Sequence, residues 1–437
     1  MKFCFVHAAD LHLDTPFTGI GKTSPETAAA LRDASLAAFD SLVKLTIDRG
    51  AAFLLLAGDV YDGERRSVRA QLRFRKGLEQ LSERGIATFM VHGNHDPLDG
   101  WSAIRHWPES VTIFGSEAVT SKTVTSKTAT SNRGHQGGTP IATVHGISYG
   151  EPQVSENLAQ RFERGAAPDS ALGLQIGLLH CTVGGGSDEA SYAPCDLADL
   201  KAAGMDYWAL GHIHQRATLQ EREPWVVYPG TPQGRSPKPS ELGAKGAVVV
   251  EAADDGVSAV NFVPLDSIRF VNLQCKIDAI EDLVTLRDAL LAQVEECRGE
   301  NRGRGVIVRC RLTGRGTVFE DLARPGVVAE LLKELREEAQ TESPLVWWEG
   351  IRNETGKPLK RESLRKRGDF SSQLIQFTDD VTGDPERLQA LFAEHLGLLE
   401  RRSISKWLGE LTDDGRVALL QAAEREALQL LDEESTS

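Results

Sequence analysis

The sequence predicts an α/β chain, on three observations. Short apolar runs alternate with helical patterns through the first 215 residues, the arrangement expected of sheets covered on both faces. Polar residues of metal-binding type stand where those runs give out, and ligand sites in open α/β sheets belong at the carboxyl ends of strands. The 437 residues exceed one comfortable core, so more than one domain is expected.

Phe3–Ala8 reads as a strand, and Pro25–Arg49 as a helix with Ser24 at its cap and Pro25 in the first position. Phe53–Ala57 reads as a second strand, Ser67–Arg84 as a helix and Ala87–His92 as a third strand. Val111–Phe114, Ile141–Gly146, Gly173–His180 and Asp206–Leu210 continue the series. Between them, Val119-Thr-Ser-Lys-Thr is repeated at once as Val124-Thr-Ser-Lys-Thr, which reads as a surface loop or extended hairpin without a chemical role; His135 there is read as solvated.

From Glu223 the pattern turns strand-rich, with Trp225–Tyr228, Ala247–Glu251, Val257–Val263 and Phe270–Ile277. A helix over Asp278–Cys297, a strand over Gly305–Leu312, a helix over Pro325–Glu338 and a strand over Leu345–Glu349 suggest a small α+β unit. Helical spacing returns over Pro385–Leu399 and Asp413–Leu431. The expected segments are therefore 1–265, 266–380 and 381–437.

Composition is that of an ordinary globular protein, 41% hydrophobic and 26% charged, and a net charge of −14 argues against coating nucleic acid by bulk electrostatics. No apolar run approaches the roughly 20 residues that span a bilayer. The six cysteines are scattered without a C-x-x-C pair and read as buried or free thiols. A cytoplasmic location and no membrane partner are the expectations. Gly19-Ile-Gly21-Lys22-Thr23 imitates the end of a phosphate loop, but Pro16 stands where that pattern needs glycine.

Five ordered signals carry the chemistry: Asp10-Leu-His12, Gly58-Asp59, Gly93-Asn94-His95-Asp96, His180, and Gly211-His212-Ile-His214. Taken singly, each histidine reads as structural. Together they offer carboxylate, amide and imidazole ligands for two divalent ions. Such N/O ligation without thiolate suits Mn²⁺, Fe²⁺ or Zn²⁺. Asp10, His12, Asp59 and His214 are assigned to one ion; Asp59, Asn94, His180 and His212 to the other. Two ions roughly 3.5–4 Å apart supply a bridging hydroxide and clamp phosphoryl oxygens. His95, not needed as a ligand, is assigned either proton donation to the leaving oxygen or stabilisation of the transition-state charge, with Asp96 as the acid that orients it.

These residues resemble the calcineurin-like metallophosphoesterase superfamily. Phe5-Val-His-Ala-Ala-Asp-Leu-His-Leu-Asp-Thr-Pro-Phe, Ala57-Gly-Asp-Val-Tyr-Asp and Val91-His-Gly-Asn-His-Asp-Pro look like its DNA repair exonuclease branch, of SbcD-like and, more nearly, YhaO-like proteins. Glu349-Gly-Ile-Arg-Asn-Glu-Thr and Leu364-Arg-Lys-Arg-Gly-Asp-Phe add to the YhaO likeness. The resemblance implies a four-layer α/β sandwich, Mn²⁺-supported cleavage of DNA phosphodiesters, and partnership with an SbcC-like or YhaN-like coiled-coil ABC-type ATPase. It makes the α+β unit a DNA-facing cap and the terminal helices the grip on the ATPase; a homodimer is left open. The chain departs at Asp62, where SbcD-type nucleases carry histidine. The alternatives are a phosphoprotein or nucleotide phosphoesterase, or a DNA-binding scaffold with weak activity.

Two basic clusters fall in the cap: Arg298, Arg302, Arg304, Arg309, Arg311 and Arg315, then Arg352, Lys357, Lys360, Arg361, Arg365, Lys366 and Arg367. They read equally as a phosphate track or as solvated faces balanced by acids. Trp347-Trp348 reads as core, with stacking on unpaired bases as the alternative.

Overall fold

The computed structural model describes residues 2–15, 17, 25–63, 67–98, 103–126, 138–164, 173–184, 191–253, 256–339, 342–358, 361–396 and 412–434. His135, the Gly19–Thr23 string, Lys360 and Leu399 lie outside the described residues.

In chain order the strands are β1 (Phe3–Ala8), β2 (Phe53–Ala57), β3 (Ala87–Val91), β4 (Val111–Ile113), β5 (Thr120–Thr125), β6 (Pro140–Gly146), β7 (Leu174–His180) and β8 (Tyr207–Gly211). They continue as β9 (Ala217–Gln220), β10 (Trp225–Tyr228), β11 (Gly246–Ala253), β12 (Gly256–Pro264), β13 (Ile268–Lys276), β14 (Gly305–Thr313) and β15 (Val346–Asn353). Among the described residues they form two six-stranded sheets, ordered β12-β11-β1-β2-β3-β4 and β5-β6-β7-β8-β10-β9, and a three-stranded sheet, β13-β14-β15. Strands β1 to β4 are mutually parallel, as are β6, β7 and β8. Their carboxyl ends therefore open on one edge of each sheet.

Alternation along the strands shows why two sheets must stack. Leu54 and Leu56 join Val6 and Ala8 in a core beneath α1 (Pro25–Asp48) and α2 (Val68–Glu83). The opposite residues, Phe53, Leu55 and Ala57, meet Val144, Ile176, Leu178, Tyr207 and Ala209 of the second sheet. A strand buried on both faces reads as one continuous apolar run, which is the character of Phe53–Ala57. Beyond the second sheet, Trp208 packs with Phe162 and Leu200, and its indole N–H donates to the Leu200 carbonyl at 2.9 Å. Helices, sheet, sheet and helices give the expected four-layer α/β sandwich.

Helix α2 begins where Ser67 takes the Ala70 amide at 3.0 Å, one of the donors a helix start leaves unsatisfied. Ala70, Phe74, Leu78 and Leu81 form its buried stripe at helical spacing. The tandem pentapeptide is partly strand: β5 pairs antiparallel with β6.

The chain divides into two compact units: 1–274, 287–311 and 328–352 in the first, and 275–286, 312–327 and 353–437 in the second. This division cuts across the segments 1–265, 266–380 and 381–437. Its physical reason lies in the first unit, where Ile268, Phe270, Ile307 and Trp347 bury against Leu31 and Ala34 of α1. In the second unit, Leu364, Ile375 and Leu428 form a small core between helices Arg361–Arg365, Phe370–Thr382 and Asp413–Glu434. There Arg361 holds Asp379 and Glu424, each at 2.7 Å. No described helix is long and apolar enough to cross a membrane.

Candidate metal centre

Five loops at the carboxyl ends of β1, β2, β3, β7 and β8 converge on one place. The first two lie side by side: the amides of Asp10, His12 and Leu13 donate to the carbonyls of Gly58, Asp59 and Val60 at 3.0, 3.0 and 2.9 Å. The third is gathered by Asp96, whose buried carboxylate accepts the amides of Gly93, Asp59 and Val60 at 2.9, 3.2 and 2.8 Å. Two glycines are required by close approach. A Cβ on Gly93 would stand 2.3 Å from Asp59 Oδ1, and one on Gly58 (φ +89°) 2.4 Å from His180 Nδ1. Four residues of the site hold positive φ without being glycine: Asp10 at 54°, His12 at 42°, Asp59 at 51° and His212 at 102°. Such backbone persists only where the surroundings over-determine it.

Imidazole anchoring decides what the site can hold. His180 donates from Nδ1 to the Ala57 carbonyl at 2.9 Å, which leaves Nε2 facing Asn94 Oδ1 at 3.0 Å and Asp59 Oδ2 at 3.4 Å. His214 donates from Nδ1 to Glu241 Oε1 at 2.7 Å, leaving Nε2 opposed to His12 Nε2 at 3.1 Å. Two Nε2 atoms thus converge, while the buried His12 Nδ1 has no hydrogen-bond partner. Ligand atoms of Asp10, His12 and His214 lie within 4.8 Å of one another, as do those of Asp10, Asp59 and His180. Asp59 Oδ2 stands between the groups, 3.4 Å from His180 Nε2 and 3.9 Å from His12 Nε2. Converging nitrogen lone pairs, two buried carboxylates and an amide oxygen fit divalent cations.

Charge states agree with that fit. Burial lifts the Asp10 carboxyl to about 6. Burial acts the same way on Asp59, but the imidazoles of His180 and His12 outweigh it and hold that carboxyl well below the usual range. Burial opposes a charged His180, yet the Asp59 carboxylate prevails and raises it to about 9. At neutral pH a proton on His180 Nε2 therefore sits where a cation is to be bound. Uptake of Mn²⁺ at pH 7 is expected to release about one proton per chain. Calorimetry in buffers of different ionisation enthalpy reads this directly; uptake without proton release at pH 7 contradicts a protonated His180 in the metal-free site.

The sequence-derived residues divide by position. Asp10, His12 and His214 come together, as do Asp59, Asn94 and His180. His212 is half-buried, its ring centroid 5.3 Å from that of His180 and 5.3 Å from that of Tyr192. Its backbone amide donates to both Asp10 oxygens, at 3.0 and 3.2 Å. His95 is exposed beside the first group, its ring centroid 5.1 Å from that of His12.

One expectation is corrected. Asp96 does not orient His95, because its carboxylate is committed to the backbone amides described above. The partner is Asp62, whose Oδ1 accepts from His95 Nδ1 at 2.6 Å while Oδ2 faces Arg235 Nη1 at 3.4 Å. The hydrogen bond to Asp62 raises the His95 imidazole above its ordinary value, and the same bond lowers Asp62. Asp62 is thus flanked by the His95 imidazole and the Arg235 guanidinium.

Sequence reasoning also missed Glu241 and Arg235. Both sit on the loop between β10 and β11, where the Arg235 amide donates to Glu241 Oε2 at 3.1 Å. His7 and His145, by contrast, are structural. His7 bonds the Tyr207 hydroxyl at 3.0 Å and the Leu210 carbonyl at 3.2 Å, and His145 sits between Ser121 and Gln175.

Residues 4–216 match the family model of the calcineurin-like phosphoesterases. Over 347 residues, 78% of this chain and 79% of the relative, the sequence is 35% identical to the uncharacterized metallophosphoesterase YhaO of Bacillus subtilis (strain 168). The chain belongs to the calcineurin-like metallophosphoesterases. Within this metallophosphoesterase, residues 270–356 match the model of the YhaO middle domain. The SbcD subunit of the SbcCD nuclease from the same organism is 25% identical over 274 residues, 56% of this chain and 66% of that protein. Calcineurin-like metallophosphoesterases hydrolyse phosphoesters with divalent metals, and the two ligand groups described above are the candidates for holding them here.

Proposed function

We propose that this chain cleaves DNA phosphodiesters with two divalent cations, Mn²⁺ first among them, in the cytoplasm and in partnership with an SbcC-like or YhaN-like coiled-coil ABC ATPase. The observation that carries this reading is the likeness to the SbcD subunit of the SbcCD nuclease, which at 274 residues is longer than the phosphoesterase segment 4–216. Phe370 and Phe377, and Leu419 and Leu430, lie exposed on helices Phe370–Thr382 and Asp413–Glu434, apolar surface that supports a partner for the terminal segment.

Asp10, His12 and His214 would hold one cation, and Asn94 and His180, with His212 beside them, the other, with Asp59 between. Bound there, the cations supply Lewis-acid polarisation of a phosphoryl oxygen and an acidified water. The chain's own residues do the rest. His95, whose imidazole the hydrogen bond to Asp62 raises above its ordinary value, would offer its proton to the leaving oxygen. Arg235 faces Asp62 and balances its charge next to a polyanionic substrate.

A second reading, hydrolysis of a phosphoprotein or nucleotide, is favoured by the state of the basic clusters. Arg298 is held by Glu295 and Glu342 at 2.6 and 2.9 Å, Arg304 by Asp266 at 3.1 Å and Arg309 by Glu349 at 2.7 Å. Arg361 is paired as above, and Arg365 pairs with Asp379. Trp347 and Trp348 are buried, as the core reading expects.

The test is a Mn²⁺ assay on duplex and hairpin DNA, with and without the ATPase, beside p-nitrophenyl phosphate and bis(p-nitrophenyl) phosphate. The reading expects diester and DNA cleavage that is enhanced by the ATPase. Cleavage of the monoester alone, with DNA intact under every condition, would sink it in favour of the second reading.

A further inference from the structure

The loop between β10 and β11 touches the metal centre at three points, yet it is fastened from a fourth. Thr231 Oγ1 donates to the Asp10 carbonyl at 2.8 Å and to the Gln233 carbonyl at 3.1 Å. Arg235 faces Asp62, the partner of His95, and Glu241 fixes the His214 tautomer. Gln233 lies between Thr231 and Arg235 in sequence, and its side-chain hydrogen bonds among the described residues run to Gly234, Ser267 and Ile268. Its side chain is 1% exposed and grips the start of β13. Oε1 accepts the Ser267 amide at 2.9 Å and the Ile268 amide at 3.3 Å. Nε2 donates to the Ile268 carbonyl at 2.6 Å and to the Gly234 carbonyl at 2.9 Å.

A glutamine buried with both ends of its amide satisfied by backbone is costly to disturb, because each lost bond strands a buried polar group. The backbone it holds is itself anchored in the core. Ile268 is buried with Phe270, Ile307 and Trp347 against α1, in the core that unites the three-stranded sheet with the first unit. One core-anchored strand therefore fastens a loop whose other residues contact His214 and Asp62.

We propose that Gln233 is a positioning residue for the metal centre, acting through Glu241 on His214 and through Arg235 on the Asp62–His95 pair. The first strand of the middle segment is by this route part of what holds the site in register. The proposal rests on the metal-dependent reading given above. Partners that orient a metal-bound histidine are worth about 10–100-fold in metal affinity, and Gln233, which fastens the loop that carries such a partner, belongs at the low end of that range.

The test is Mn²⁺ titration of the full chain by calorimetry, run well below the thermal transition of each variant, together with kcat and KM for bis(p-nitrophenyl) phosphate. Gln233→Ala is expected to weaken Mn²⁺ binding about tenfold and to lower kcat with KM little changed. A merely structural residue would lower the transition temperature and leave both binding and kcat alone. Gln233→Met, which keeps the volume and loses the hydrogen bonds, replaces the alanine variant if that one does not fold. The Gln233→Ala, Glu241→Gln double variant should bind Mn²⁺ no worse than the weaker single variant, since both act on the same histidine. Wild-type affinity in a folded Gln233 variant, or strictly additive losses in the double variant, overturns the proposal alone. A wild-type chain that takes up no Mn²⁺ overturns the metal-dependent reading, and this proposal with it.

Discussion

Asp59→Asn is expected to lower phosphodiester turnover about a thousandfold, equivalent to ~4 kcal/mol of transition-state stabilisation. The size follows from position. Asp59 Oδ2 stands 3.4 Å from the His180 Nε2 and 3.9 Å from the His12 Nε2, and it balances imidazoles from both sides. Asparagine keeps the shape and the Oδ1 that accepts the His95 amide, so the fold should persist while the second carboxylate of the centre loses its charge. Mn²⁺ stoichiometry measured beside kcat/KM checks the argument. A variant that still binds two ions and turns over within tenfold of wild type would remove Asp59 from its central place.

The next largest effect belongs to the His95–Asp62 pair. His95→Ala should cost about a hundredfold or more in kcat, the contribution of a positioned general acid. Asp62→Asn is the more diagnostic variant because it acts through a pKa. Asp62 raises His95, so His95 keeps its proton to higher pH in the wild type than an ordinary histidine does. An acid is active while protonated, and its rate contribution falls as pH rises through its pKa. Removing the Asp62 charge must therefore move the alkaline limb of the kcat/KM profile to lower pH and leave the acid limb in place. An alkaline limb that does not move in Asp62→Asn would show that His95 is not the group being titrated.

Much of this molecule was legible in the sequence because the layered core writes itself locally. The run Phe53–Ala57 is apolar at every position, which only a strand covered on both faces requires, and the ligands follow such runs within a few residues. What stayed hidden depends on residues distant in sequence. Asp96 was assigned to His95 by adjacency, but consecutive residues on a tight loop point apart, and Asp96 turns inward to the amides of Asp59 and Val60. Asp62 looked unfavourable in isolation because Arg235 lies 173 positions away. Glu241 carried no motif at all; its role exists only once the loop from β10 returns to His214. The basic clusters stayed open between two readings for the same reason, since the acids that hold Arg309 and Arg361, Glu349 and Glu424, are 40 and 63 residues distant.

The left-handed backbone of Asp10, His12, Asp59 and His212 bears on how this enzyme would respond to engineering. A non-glycine residue in that conformation forfeits about 1–3 kcal/mol, so four of them withhold an amount comparable to the whole margin by which a domain stays folded. Glycine at any of the four would relieve the backbone and remove a side chain of the metal centre. A library screened for heat resistance alone is therefore drawn toward glycine at the very positions proposed to hold or frame the cations. Its most robust members should be the ones that have stopped being enzymes.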